Sequence, residues 1–158
     1  MTGTGGPVVR GTTRLVGLIG DPVSHSLSPP MQNAAFAAAG LDLVYVPLRV
    51  RAERLDAALA GLIALGFVGA NVTIPHKEAV AERCDALSSV AEACGSVNTL
   101  TVAGDGSLLG DSTDGAAVTD GLRAVGGEDA LALDSLVVGA GGAALAAAAA
   151  LAAAGAAV

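Results

Sequence analysis

Of the eight basic residues in this chain of 158, only one, Lys77, is a lysine. Tryptophan is absent, tyrosine occurs once and phenylalanine twice. The 53% of apolar residues must therefore form a core from alanine, valine and leucine, with few large rings. Cysteine is scarce too. Cys84 and Cys94 are too few for a disulfide framework and are not spaced as a metal cluster, which points to a reducing, cytoplasmic setting. His25 and His76 lack partners at zinc-ligand spacing, so no metal is expected. Acidic residues outnumber basic ones by 15 to 8, for a formal charge of -7. The basic face that a non-specific nucleic-acid binder needs is missing. Residues 1–13 are rich in glycine and threonine and contain no apolar h-region; they read as a disordered tail, not as a signal peptide. The longest apolar run, 143–157, is mostly alanine and is broken by Gly155. It reads as a buried helix, and no membrane partner is expected.

What is present is organised around Asn71-Val72-Thr73-Ile74-Pro75-His76-Lys77. Residues 70–74 are small, β-branched or apolar and predict a short buried strand. Pro75 cannot donate to a ladder and stops it. Lys77 then opens a helix over 78–85. Strand, sharp turn and helix together present polar groups at the carboxyl edge of an α/β sheet, where ligands bind. A lone lysine among arginines suggests chemistry that guanidinium cannot do, because an ammonium is compact and its pKa responds to burial and neighbours. The plain alternative is a solvated lysine in the first turn of a helix.

The rest of the chain alternates in the same way. Residues 14–20 read as a strand that is apolar on both faces, as central parallel strands are. A polar loop follows, then a helix to Ala39 with Ser28 as N-cap, Pro29 at N1 and Gly40 beyond its end. A strand over 44–46 is expected to stop at Pro47. Leu55, Leu59, Leu62 and Ile63 share one stripe of a helix over 52–65. Ser88 or Ser89 caps a short helix to Ala93, and 97–102 and 108–110 read as two strands joined by a hairpin turn at 104–106. This order implies an α/β domain with a mostly parallel sheet covered by helices. A helix over 114–125 ends at Gly126-Gly127, and 128–134 reads as a linker. Residues 136–144 then read as strand, glycine loop and helix start. G-x-G-x-x-A in that setting is a dinucleotide fingerprint, with a tight turn, close backbone approach and a helix N-terminus for the pyrophosphate. The residue that reads the ribose would fall some 20 residues on, beyond Val158.

Three polar corners lie at expected strand ends or helix starts. Ser26 and Ser28 stand beside a helix N-terminus, where hydroxyls and N–H groups suit a carboxylate. Asn71, Thr73 and Lys77 form the second corner, and Asn98, Thr99, Thr113 and Asp114 the third. Hydroxyls, amides, one carboxylate and one ammonium suit a small polyhydroxylated acid. A Lys–Asp pair beside a nicotinamide suits hydride transfer to a ketone, with the lysine stabilising or protonating the developing alkoxide.

G-D-P-V-S-H-S-L-S-P, N-V-T-I-P-H-K, G-S-V-N-T, G-D-S-T-D-G and G-A-G-G-A, in this order and spacing, resemble the shikimate dehydrogenase family from about Leu15 onward. The resemblance implies a three-layer, mostly parallel α/β substrate domain followed by the start of a Rossmann-like NADP-binding domain. Residues 14–113 would be the substrate-binding catalytic domain, 114–134 a connecting helix and linker, and 135–158 an incomplete dinucleotide-binding domain. It also implies NADPH-dependent reduction of 3-dehydroshikimate to shikimate in aromatic amino-acid biosynthesis. By position, Ser26, Ser28 and Thr73 would hold the substrate carboxylate, and Asn71, Asn98 and Asp114 the ring hydroxyls or ketone. Lys77 and Asp114 would be the catalytic pair, and Gly139, Gly141, Gly142 and Ala143 would carry the NADP pyrophosphate. Ser112 and Gln32 depart from the asparagine and histidine usual in the family. The family's loop for the NADP phosphate and its returning glutamine-bearing helix are not found in the chain. A quinate-preferring relative and a non-catalytic small-acid-binding module are the alternatives. The resemblance leaves the oligomeric state open, a homodimer included.

Overall fold

The computed structural model describes residues 6–158. The chain divides into two compact units, one of residues 1–76 with 101–106, the other of 77–100 with 107–158. Of the tail expected over 1–13, residues 1–5 lie outside the described residues. Its end is hydrogen-bonded: the Thr12 and Thr13 hydroxyls donate to the two carboxylate oxygens of Asp42, each at 2.6 Å.

In the first unit the strands are β1 (Arg14–Gly20), β2 (Leu43–Arg49) and β3 (Gly69–Val72). Both β2 and β3 pair with β1 in parallel, Val16 standing opposite Tyr45 on one side and Gly69 on the other. β1 is thus central, and its Leu18 and Ile19 are buried as the sequence predicts. The end of β5 (Thr99–Val102) joins β3, with Val102 N–H donating to Val68 O at 2.9 Å. β2 runs through Pro47, which was expected to end it. The reason is position: β2 is outermost in this order, where a missing N–H leaves no ladder bond broken.

Helix α1 (Ser28–Ala38) packs on β2. Its N-cap is Leu27, not the expected Ser28, and Leu27 has no side-chain group to cap it. A 3-10 turn (Ala52–Arg54) leads into α2 (Leu55–Ala64), which buries Leu55, Leu59 and Leu62 at helical spacing. Each such burial is worth about 1.5–3 kcal/mol relative to exposure. Ile63 lies at the border of that stripe and is 38% exposed.

The second unit contains α3 (Lys77–Ala81), β4 (Ala86–Leu87), α4 (Ser89–Cys94), the start of β5, β6 (Leu108–Asp111), α5 (Asp114–Gly126) and α6 (Gly142–Ala153). The strand order here is β5-β6-β4, with β4 parallel to β6. Ser88 caps α4, accepting from Ala91 N–H at 3.1 Å. The expected linker contains a 3-10 turn (Glu128–Ala132) that buries Leu131. Helix α6 packs on α4 and α5. It buries Gly142, Ala146 and Leu151 but exposes other positions, so the alanine run is half-buried where full burial was expected. No regular strand forms over 136–138, and Leu136 and Val138 are about nine-tenths exposed. That segment meets the returning chain at Ser135, whose N–H donates to Ala157 O at 2.8 Å, without extending into a ladder. Among the described residues, no helix is long and apolar enough to cross a membrane, and no group of three or more His, Cys, Asp or Glu is placed to hold a metal.

Candidate functional site

In the first unit the order β2-β1-β3 means that the chain leaves β1 to one side and crosses back to the other. At such a reversal the carboxyl ends of neighbouring strands open a crevice. The segments that follow β1 and β3 run side by side there, with Thr73 N–H on Ile19 O at 2.9 Å and Asp21 N–H on Ile74 O at 3.0 Å. Asn71 stands in β3 opposite Leu18, Thr73 is one residue past the strand, and Ser26 and Ser28 follow β1. Ser26 Oγ accepts from Ser28 N–H at 3.2 Å, so the hydroxyl serving the first turn of α1 is that of Ser26.

The second unit brings Lys77, Asn98, Thr113 and Asp114 together. Lys77 is the first residue of α3 and Asp114 the first of α5, so two helix starts face one another. The Lys77 ammonium donates to Asp114 Oδ2. Asp114 Oδ1 accepts from Asn98 Nδ2 at 2.6 Å, and Asn98 Oδ1 accepts from Thr113 N–H at 3.1 Å. The carboxylate is therefore held at both oxygens. The Lys77 and Asp114 side chains are 17% and 25% exposed, half sheltered and still within reach of a ligand. An ammonium and a carboxylate that share a proton can deliver one to an oxygen or accept one from it.

The glycine loop lies against this group. Gly139 has a φ of +142°, a conformation open to glycine alone at little strain. Gly142 is buried, and a Cβ there would stand 2.2 Å from Ser96 Oγ and 3.4 Å from Lys77 Cβ. The first internal bonds of α6 are donated by Ala144 and Leu145 to Gly141 O, so the Gly142 and Ala143 amides precede the helix's own ladder. Gly139, Gly141 and Ala143 are exposed. Exposed glycines ahead of a helix of 12 residues fit a dinucleotide pyrophosphate.

Sequence reasoning missed three groups in the first unit. Tyr45 donates its hydroxyl to Asn71 Oδ1 at 2.8 Å. Asn33 Nδ2 donates to Tyr45 O at 2.9 Å, and Asn33 Oδ1 accepts from Tyr45 N–H at 2.8 Å. His76, 1% exposed, donates from Nε2 to Val50 O at 2.6 Å. Tyr45 could have been noticed as the sole tyrosine; Asn33 and His76 carry no comparable signal.

Residues 18–100 match the family described as the shikimate dehydrogenase substrate binding domain. The chain belongs to this family. A shikimate dehydrogenase (NADP(+)) of Rubrobacter xylanophilus is 56% identical over 138 residues, which is 87% of this chain and 48% of that protein. The crystal structure of shikimate dehydrogenase from Aquifex aeolicus superposes with a TM-score of 0.88 at 38% identity, covering 94% of this chain and 55% of that one. The Thermus thermophilus enzyme, solved with NADP(H) and shikimate, gives 0.80 at 35% identity, covering 91% and 54%. The chain thus spans about half the length of the curated relatives it matches.

Ser112 departs from the shikimate dehydrogenase pattern, and the structure shows what surrounds it. The N-cap of α5 is Thr113, and Ser112 is buried, its Oγ without a hydrogen-bond partner. It lines a cleft of about 490 Å³ with Ser89, Val90, Ala116 and Ala150. An unsatisfied buried hydroxyl costs about 1–3 kcal/mol. Ser112→Ala is therefore expected to match or exceed the wild type in urea-denaturation midpoint. Ser112→Asn, whose amide has the cleft to enter, should leave kcat/KM within about threefold, since Ser112 holds neither Lys77 nor Asp114. A lower midpoint for Ser112→Ala would mean that the hydroxyl has a partner after all.

Proposed function

We propose that this chain supplies the substrate-binding half and the first nucleotide-binding unit of an NADP-dependent shikimate dehydrogenase, which interconverts 3-dehydroshikimate and shikimate in aromatic amino-acid biosynthesis. The supporting observation is the second unit's arrangement, in which the first turn of the glycine-loop helix lies on the stem of a lysine bonded to Asp114. In the first unit, Ser26, Ser28 and Thr73 hold a carboxylate and Asn71 a ring hydroxyl. In the second, Asn98 binds a hydroxyl or the ketone, Asp114 accepts from a hydroxyl, and Gly139, Gly141, Gly142 and Ala143 would carry the pyrophosphate of a bound nucleotide. A bound nicotinamide nucleotide would supply or take up the hydride. Lys77 gives its proton to the carbonyl oxygen as the alcohol forms, and takes one from the hydroxyl in the reverse direction. Asp114 keeps the ammonium at that oxygen, and Asn98 keeps Asp114 from turning away.

The test is NADP reduction by the complete enzyme with shikimate and, in parallel, with quinate. Turnover of shikimate well above quinate is expected. Comparable turnover of both would make it a broader enzyme of the quinate type. Calorimetric binding of shikimate without turnover would overturn the catalytic reading in favour of a binding module.

A further inference from the structure

Thr113 is the N-cap of α5, a place where threonine ordinarily accepts a bond from an amide of the first turn. Here it does not. Its backbone is already near-helical (φ -100°, ψ -3°), and its side chain makes no capping bond. The Thr113 carbonyl begins the helix, accepting from Ala117 N–H at 3.1 Å, while the hydroxyl is turned to Asn98, with Oγ1 at 3.0 Å from Nδ2. The direction of these bonds follows from two groups that have only one role each. The Thr113 N–H, 3.1 Å from Asn98 Oδ1, can only donate. The Asp114 carboxylate, 2.6 Å from Asn98 Nδ2 and paired with the Lys77 ammonium, can only accept. The Asn98 amide therefore has its nitrogen on the side of Asp114, and Thr113 Oγ1 accepts from that same nitrogen. At the oxygen end stands the Thr99 hydroxyl, 2.9 Å from Oδ1.

We propose that Thr113 is a positioning residue for the proton-transfer pair: its N–H and its hydroxyl clamp the two ends of the Asn98 amide, and Asn98 in turn holds Asp114 Oδ1 so that Oδ2 meets Lys77. One residue thus fixes both the rotation of the amide and the end that it offers to the carboxylate. Thr113 and Asp114 are neighbours in sequence, so the clamp and the carboxylate it serves are carried together on the start of α5. The hydroxyl gives up the cap of that helix and supports the aim of the ammonium instead. The inference rests on Lys77 and Asp114 being the proton-transfer pair, as proposed above.

The experiment is Thr113→Val in the complete enzyme, which keeps the N–H and the shape of the side chain and removes the hydroxyl. It should lower kcat/KM for shikimate about 5- to 10-fold, the scale of one net hydrogen bond, and Thr113→Ser should recover most of the loss. Serine would serve a helix cap as well, so two further readouts separate the roles. Added to Asn98→Ala, Thr113→Val should cost nothing more, whereas a lost cap would add the same factor in both backgrounds. Solvent exchange of the Asn98 side-chain amide protons, followed by NMR, should quicken several-fold in Thr113→Val whether or not the enzyme turns over. Unchanged kcat/KM in Thr113→Val, an equal loss in the Asn98→Ala background, or unchanged amide exchange overturns the inference alone. A wild type that does not turn over shikimate, with amide exchange still quickened by Thr113→Val, overturns the functional reading and leaves the clamp without the reaction proposed for it.

Discussion

Lys77→Ala in the complete enzyme should lower kcat by about 10²–10⁴-fold while KM for shikimate moves only a few-fold. The ammonium is bonded to Asp114, whose other oxygen is fixed by Asn98, so its proton is already aimed before any ligand arrives. An interaction that strengthens as negative charge develops on the carbonyl oxygen shows in kcat, whereas one made equally in ground and transition states shows in KM. Alanine also leaves Asp114 half-buried without its counter-ion, so the loss includes a displaced carboxylate. Lys77→Arg separates the two effects: it restores the positive charge but places a planar, permanently protonated fork where a compact ammonium stood. It should recover stability and little of kcat. A rise in KM alone, with kcat within a few-fold of wild type, would make Lys77 a binding residue and the proposed mechanism wrong.

Gly142→Ala is expected to lower kcat/KM for NADP by about 100-fold, the scale of a displacement near 1 Å at a reacting centre. The new Cβ would lie 2.2 Å from Ser96 Oγ and 3.1 Å from Ser96 Cβ, so turning the hydroxyl removes the shorter contact but still leaves a tight one at Cβ. Ser96 is fully buried, which leaves α6 or the Lys77 stem to give way. Either movement disturbs the loop and the ammonium together. Ser96→Gly in the same chain removes both contacting atoms and should restore most of the loss. No recovery would mean that a dinucleotide, and not Ser96, demands glycine at 142. The general reading of such a loop assigns its glycines to the turn and the pyrophosphate; packing on Ser96 is a separate requirement.

Local pattern carried much of the fold. β1, the buried stripe of α2, the Ser88 cap and the hairpin from β5 to β6 depend on neighbours in sequence, and periodicity and turn residues reveal those. Pro47 misled because its meaning depends on whether a strand is central or outermost, which only pairing decides. Residues 136–138 misled in the opposite sense: they have strand composition, but a strand exists only where a ladder forms. The pairing of Lys77 with Asp114 was inferred from chemistry, and the structure supplies it across 37 residues of sequence. Tyr45 and Asn33 stayed hidden because their roles consist of partners 26 and 12 residues away. Composition could mark Tyr45 as unusual, but not tell what its hydroxyl touches.

The first unit is discontinuous: it takes back Thr101–Gly106 after the chain has already entered the second. During synthesis, β1, β2 and β3 can assemble as the chain emerges, but the bond from Val102 to Val68 must wait until residues 77–100 have been made. Neither unit can then be finished and released before the other has begun, so a ribosome-bound chain ending near His76 carries β3 with one flank open. Because domains otherwise tend to fold in order from the N-terminus, this interleaving makes the two halves cooperate kinetically. It also predicts where the protein resists dissection, since no single cut in the backbone separates the two units from each other.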